Sequence, residues 1–171
     1  MKTKVVNLFA GPCCGKSVMA ADLFSKLSKK GKQCELVREY VKDWAWQDRL
    51  ICPTDYLHLL GEQSYRESTL YGKVEYLITD SPLLLCSFYQ KYRFDESYLT
   101  KTTQEFMAAS GCEFHNFLIK RTTTYSTAGR YESESEIKTL DKKLRKWLDR
   151  HTIYTEISSA EEVIDFLREQ V

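Results

Sequence analysis

Short apolar runs alternate with longer amphipathic stretches along most of the chain. Runs rich in strand-forming residues predict five β-strands, at 5–9, 34–39, 74–80, 113–121 and 152–157. Apolar residues at helical spacing predict helices at 18–30, 53–72, from 82 onward, 95–109, 135–150 and 159–171. A strand followed by a helix, five times over, predicts an α/β fold with a five-stranded parallel sheet and helices on both faces. Ligands bind such sheets beyond the carboxyl ends of the strands.

Composition narrows the class of protein without identifying it. The 171 residues predict a single domain (1–171), and a formal net charge of +1 speaks against a dedicated nucleic-acid binder, although a local basic groove stays open. The six cysteines form no C-x-x-C pair, which predicts free thiols in a reducing compartment. No apolar run reaches the roughly 20 residues that a membrane span needs. We therefore expect a cytoplasmic protein without a membrane partner.

The stretch AGPCCGKS at 10–17 follows the first predicted strand and opens the first helix. It matches the phosphate-binding loop G-x-x-x-x-G-K-[ST], except that alanine replaces the first glycine. In such a loop, backbone N–H groups surround phosphates, the lysine reaches the β- and γ-phosphates, and the hydroxyl binds Mg²⁺. The pattern therefore predicts binding of ATP and Mg²⁺, through the residues Gly11, Pro12, Cys13, Cys14, Gly15, Lys16 and Ser17.

Two details of this loop stay open at the sequence level. If Ala10 had to adopt a positive φ, the substitution would cost about 1 kcal/mol. Cys13 and Cys14 are expected to contribute only backbone groups, and a redox-sensing role is the alternative.

Two carboxylates end predicted strands. Asp80, in ITDSP, is placed to bind Mg²⁺ directly or through water, and the alternative is a cap for the helix that opens at Pro82. Glu39 ends the second strand, which we expect beside the first. A carboxylate there is placed to take a proton from an attacking hydroxyl, and the alternative is a cap or a salt bridge.

Aromatic and polar side chains near Glu39 suggest a pocket for a planar acceptor. Tyr40 and Trp44 lie at helical spacing and are candidates to stack on a ring, with ordinary core packing as the alternative. Gln63 and Arg66 share a face of the next predicted helix, where the amide is placed to read a base and the guanidinium to hold an anion. Surface decoration is the alternative for this pair.

The polar stretch after the fourth strand predicts a mobile lid at about 122–134. Arg121 stands at its base as a nucleotide-binding candidate. Arg130 lies near its tip as a catalytic candidate that would neutralise charge on the transferring phosphoryl group. Pairing of Arg130 with the glutamates that follow it is the alternative.

Taken together, the phosphate loop, the Glu39–Tyr40 pair, GEQSYRE, ITDSP and the Y…AGR lid resemble a group of phage P-loop kinases related to the nicotinamide riboside kinase domain. That group includes kinases that phosphorylate 5-hydroxymethyluracil within phage DNA, a step toward hypermodified thymines. The resemblance covers residues 4–150 and implies a P-loop kinase-like three-layer sandwich. Deoxynucleoside kinases, more distant relatives, end strand two with a glutamate base and read the nucleobase with a glutamine, which implies these roles for Glu39 and Gln63 by analogy.

These observations predict an ATP- and Mg²⁺-dependent kinase with a nucleoside-like acceptor. The favoured acceptor is the hydroxymethyl group of 5-hydroxymethyluracil in DNA, and a free nucleoside such as nicotinamide riboside is the close alternative. If the protein is phage-encoded, it would act in the host cytoplasm. A P-loop ATPase or a nucleotide-sensing regulator is the alternative from another class. For a DNA acceptor, the expected basic rim is Lys42, Arg49, Arg66, Lys91 and Arg93. The sequence fixes neither the acceptor nor the oligomeric state.

Overall fold

The computed structural model describes residues 1–95, 98–121 and 134–169, which contain five strands and seven helices. The strands are β1 (Lys4–Phe9), β2 (Cys34–Val37), β3 (Tyr76–Thr79), β4 (Glu113–Ile119) and β5 (Thr155–Ile157). The helices are α1 (Lys16–Lys29), α2 (Val41–Trp46), α3 (Asp55–Ser68), α4 (Leu83–Phe94), α5 (Tyr98–Ala109), α6 (Glu134–His151) and α7 (Ala160–Glu169).

All five strands are parallel and form one sheet in the order β2-β3-β1-β4-β5. Alternate residues of the buried strands face opposite sides, as the two-residue period of a strand requires. Val6 and Leu8 pack toward α1 and α7, whereas Phe9 packs toward α4 and α6. The sheet is thus the middle of three layers, and the predicted fold is confirmed.

The strand order corrects the expected position of Glu39. We expected the second strand to lie beside the first, but β3 lies between them. Thr79 on β3 pairs with Asn7 on one side and with Val37 on the other. The residue after Thr79 is Asp80, so this carboxylate lies between the loop that follows β1 and the segment that follows β2.

Several element boundaries differ from the sequence prediction. The helix expected to reach Gly72 ends at Ser68, and the strands expected at 34–39 and 74–80 are each shorter. Residues 41–46 form a short helix that was not predicted as an element. Val18 was grouped with the apolar positions of α1, yet it is 75% exposed, because Ala20, Leu23 and Leu27 form the buried face.

All six cysteines lie in the described residues, and none of them forms a disulfide. Within the same residues, no helix has the length and apolar character needed to cross a bilayer.

Glu67 is a fully buried carboxyl group on α3 and predicts an unusual pH dependence of stability. Burial raises its pKa from the ordinary 4.5 to about 8, against the hydrogen bond that it accepts from the Tyr71 hydroxyl at 3.2 Å. Above pH 4.5 the unfolded chain loses this proton while the folded chain keeps it. The contribution of Glu67 to the free energy of unfolding therefore falls as pH rises toward 8.

Glu67→Gln keeps the shape of the side chain and stays neutral at every pH. We expect it to remove this decrease in the free energy of unfolding. Between pH 5 and pH 8 the variant should gain stability relative to wild type by on the order of 3 kcal/mol. Urea unfolding at the two pH values measures the difference. Glu62→Gln on the same helix is the control, because the half-buried Glu62 carboxylate pairs with Arg66 at 3.0 Å, and an equal effect of both substitutions would contradict the assignment.

Candidate functional site

The loop between β1 and α1 has the backbone of a phosphate cradle. Gly15 (φ 80°) and Cys13 (φ 60°) adopt the left-handed conformation that turns the chain into the helix. Ala10 has a negative φ and is buried in the core, so the first position of the pattern does not need glycine here. The doubt raised by Ala10 is thereby resolved, and the strained non-glycine residue of the loop is Cys13.

Lys16 lies across the mouth of this loop. Its ammonium donates to the Ala10 carbonyl at 2.9 Å and to the Gly11 carbonyl at 3.3 Å. A phosphate that entered the loop would offer this ammonium a charged acceptor in place of two neutral carbonyls, and hydrogen bonds between charged partners are the stronger kind.

Gly11 allows an ion pair to lie against the loop. Arg121, directly after β4, donates to Asp141 of α6 through Nε at 2.6 Å and through Nη2 at 2.9 Å. A methyl group at Gly11 would overlap Asp141 Oδ1 and press on Arg121 Nη2. The glycine therefore brings Arg121, the predicted nucleotide contact, to the edge of the cradle.

The two cysteines of the loop differ in their environment. Cys14 is buried, and this burial raises the pKa of its thiol despite the opposing positive charge of Arg121. Thiolates are the reactive form of cysteine, so Cys14 is a poor candidate for redox sensing. Cys13 is half-buried and contributes the left-handed turn.

Asp80 connects the ends of β3 and β2. It is 3% exposed, and its Oδ1 accepts the Glu39 N–H at 2.9 Å. It does not cap α4, whose N-terminus at Pro82 has no side-chain cap. Its second oxygen and the exposed hydroxyl of Ser17 are hard donors of the kind that Mg²⁺ prefers.

Within the described residues, no cluster of three His, Cys, Asp or Glu side chains could hold a metal ion by itself. A Mg²⁺ ion beside the loop would therefore take most of its ligands from phosphates and water, as is usual for this ion. Ser17 and Asp80 fit that role.

A cavity opens next to the phosphate loop. Its empty volume is about 660 Å³, which includes the open solvent at its mouth. Pro12 and Lys16 form one wall, and Glu39 lies on the same cavity. Tyr56 and Tyr89 supply aromatic surface. The remaining polar and apolar lining comes from Val41, Lys42, Ala45, Ile51, Leu59, Ser81, Leu85, Cys86 and Arg93.

Tyr40 and Trp44 lie outside this lining, in an aromatic cluster between α2 and α3. The Trp44 ring stacks on His58, has the Arg49 guanidinium 3.3 Å from its ring centre and is 3% exposed, so it is not open to an acceptor. Tyr40 donates to or accepts from His58 through its hydroxyl at 3.2 Å. The packing alternative describes this pair better than substrate stacking does.

Gln63 and Arg66 also lie away from the cavity lining. Gln63 is 1% exposed, and its Oε1 accepts the Tyr40 N–H at 3.2 Å. Arg66 covers the Tyr40 ring at 4.6 Å and pairs with Glu62 at 3.0 Å. The two residues do not share a face pointing into the cavity.

Comparison with known proteins identifies the family of this chain. The sequence profile of the AAA domain family AAA_28 matches residues 5–162. The chain belongs to this family. No curated protein sequence matches the AAA_28 chain significantly.

Solved structures resemble the AAA_28 chain over almost its whole length. The APS kinase of Mycobacterium tuberculosis, in complex with AMPPNP and APS, gives a TM-score of 0.56 at 17% identity over 98% of both chains. Deoxyadenosine kinase from M. mycoides gives a TM-score of 0.60 at 14% identity, over 99% of this chain and 100% of that chain. At such identities the similarity shows the fold, a P-loop kinase-like three-layer α/β sandwich.

The sequence analysis missed Leu85 and Tyr89 of α4 as cavity residues, and expected Arg93 only in a basic rim for DNA. Leu85, Tyr89 and Arg93 recur every four residues and therefore share one face of the helix, and this face lines the cavity. The helix starts at Leu83, three residues after Asp80, which was already a site candidate. Four-residue spacing behind a candidate metal ligand was thus the available signal.

The predicted lid lies almost entirely outside the described residues, and Arg130 with it. Its role as a catalytic arginine therefore stays a prediction. Arg121, at the base of the lid, is described and lies beside the loop, and its role as a nucleotide contact also stays a prediction.

Proposed function

We propose that this protein is an ATP- and Mg²⁺-dependent kinase that transfers the γ-phosphate to a hydroxyl group of a nucleoside-like acceptor. One observation carries the proposal: Lys16 of the phosphate loop and the carboxylate of Glu39 line the same cavity. A kinase needs this combination, because the acceptor hydroxyl must meet both the phosphoryl group and a proton acceptor.

Each part of the site then has a role in the transfer. The loop N–H groups and Lys16 hold the β- and γ-phosphates, and Arg121 contacts the nucleotide. Glu39 takes the proton of the acceptor hydroxyl. The oxygen of that hydroxyl bonds to the γ-phosphorus, and the bond between the γ-phosphorus and the ADP oxygen breaks. Ser17 and Asp80 would hold Mg²⁺, which supplies charge neutralisation at the phosphates.

The lining of the cavity favours a kinase over an ATPase. Hydrolysis needs only a water molecule beside the γ-phosphate, whereas this cavity has two tyrosines and Arg93 on its wall. Aromatic surface of this kind suits a planar base, and a guanidinium suits an anion or a carbonyl edge. The similar structures are consistent with this class, since they include a kinase solved with APS and AMPPNP and another solved with dATP.

For the acceptor, we propose 5-hydroxymethyluracil within DNA, with free nucleosides such as nicotinamide riboside as the alternative. The resemblance to phage kinases supports the DNA acceptor. Of the basic rim expected from the sequence, Arg49, Arg66 and Lys91 form ion pairs with neighbouring carboxylates. Lys42 and Arg93 line the cavity.

Helix α6 provides a second source of positive charge. Lys142, Lys146 and Arg150 are exposed, four residues apart, and lie opposite the buried stripe Leu140, Leu144 and Leu148. None of the three forms an ion pair with another described residue. Lys143 of the same helix lies 4.9 Å from the ring centre of Tyr92 on α4, the helix that lines the cavity. This basic stripe suits a phosphate backbone.

Salt dependence distinguishes the two acceptors. A base in a duplex must be flipped out or presented in a single strand, and both routes need backbone contacts that release counterions. We expect labelling of 5-hydroxymethyluracil DNA from γ-labelled ATP to fall steeply from 50 to 200 mM salt, and Lys142→Ala/Lys146→Ala to flatten this slope. Labelling of unmodified DNA should be absent.

The matched control is Lys29→Ala/Lys30→Ala, at the end of α1 remote from the phosphate loop. It should leave the slope unchanged. Efficient labelling of free nucleosides without labelling of modified DNA would reject the DNA acceptor and favour the nicotinamide riboside type of kinase.

A further inference from the structure

Residues 38–40, between β2 and α2, carry the proposed base but lie beyond the hydrogen-bond ladder of the sheet. The strand ends at Val37, and the helix begins at Val41. Backbone groups in such a connection need partners from elsewhere in the fold, since buried N–H groups are almost always paired.

Two buried side chains provide these partners. The Glu39 N–H donates to Asp80 Oδ1 at 2.9 Å, and the Tyr40 N–H donates to Gln63 Oε1 at 3.2 Å. Asp80 follows the central strand β3, and Gln63 lies on α3, so the two anchors come from different elements. Two consecutive N–H groups are therefore fixed, and with them the two peptide planes on either side of the Glu39 α-carbon, whose side chain lines the cavity.

The position of Gln63 fits this task and does not fit contact with an acceptor. Its side chain is almost completely buried and is not part of the cavity wall, whereas Glu39 is. Its carbonyl oxygen is already used by the Tyr40 backbone. Its Nε2 faces the buried Glu67 carboxyl group, so the oxygen is the part of the amide that contacts the Tyr40 backbone.

We infer that Gln63 is a positioning residue for Glu39: by holding the Tyr40 N–H, it fixes the direction of the proposed base without touching the acceptor. This inference builds on the proposed kinase function. It replaces the expectation that Gln63 reads a nucleobase.

The test is a double-mutant cycle with Gln63→Met, which keeps similar volume but removes the acceptor oxygen. We expect kcat to fall about 10- to 100-fold, with KM for ATP and for the acceptor within threefold of wild type. Because Gln63 acts through Glu39, adding Gln63→Met to Glu39→Gln should cause no further loss of kcat. Multiplicative losses in the double variant would overturn the inference, as would a raised acceptor KM with altered acceptor preference.

The double variant Gln63→Glu/Glu67→Gln provides the matched rescue, because it retains an oxygen for the Tyr40 N–H and exchanges the amide and the carboxyl group between two neighbouring buried positions. Its kcat should stay within about threefold of wild type. If Gln63→Met does not fold, the rescue variant provides the test. A decrease in its kcat as large as that of Glu39→Gln would contradict the inference, and a retained kcat would support it. Absence of acceptor-dependent transfer in the wild type would instead reject the kinase function itself.

Discussion

Replacement of Lys16 by alanine should abolish phosphoryl transfer while the fold survives. The ammonium lies at the mouth of the loop and donates only to two loop carbonyls, so its removal leaves the core intact. In the transfer it would face the developing charge on the β- and γ-phosphates, where a positive group contributes most. We expect kcat/KM to fall on the order of 10³-fold or more, with a melting temperature within a few degrees of wild type.

Radiolabel transfer and thermal melting measure the two parts of this prediction. Lys29→Ala, at the other end of α1, is the matched control and should keep full activity. A Lys16→Ala variant that retains transfer would remove the phosphate loop from the mechanism.

Glu39→Gln should produce the second large effect. The substitution keeps the shape of the side chain and the backbone bond to Asp80, but removes the proton acceptor from the cavity wall. Turnover should fall by on the order of 10²- to 10⁴-fold, with ATP affinity nearly unchanged. Steady-state kinetics with ATP and with the acceptor varied separately will show where the loss falls.

Glu35→Gln is the control for this variant, because Glu35 is an exposed carboxylate on β2, the strand that precedes Glu39. It should have no effect on turnover. If Glu39→Gln weakened ATP binding and left turnover intact, Glu39 would belong with the metal ligands instead of acting as the base.

Local features of the site could be predicted from the sequence. The phosphate loop needs a strand, a defined loop and a helix in consecutive residues, so AGPCCGKS in its context was sufficient to place Lys16 and Ser17. Asp80 was also accessible, because a carboxylate directly after a buried strand must lie at the ligand-binding edge of a parallel sheet.

Features that depend on contacts between distant segments could not be predicted in the same way. Gln63 contacts the backbone N–H of Tyr40, which is 23 positions away in the chain. No pattern of side chains in the sequence indicates this contact. Helical spacing put Tyr40 near Trp44 correctly, but could not show that His58 and Arg49 pack against the indole and that the ring is buried. The position of Glu39 relative to β1 required the strand order, which alternation of strand and helix leaves undetermined.

The fate of the γ-phosphate tests the central claim most directly. Wild-type protein, Lys16→Ala and Glu39→Gln would each be incubated with γ-labelled ATP, Mg²⁺ and a panel of free nucleosides, plain DNA and 5-hydroxymethyluracil DNA. The kinase account predicts label in an organic phosphoester for the wild type, dependent on the acceptor and lost in both variants. Release of all label as inorganic phosphate, at a rate indifferent to every acceptor, would contradict it and show an ATPase.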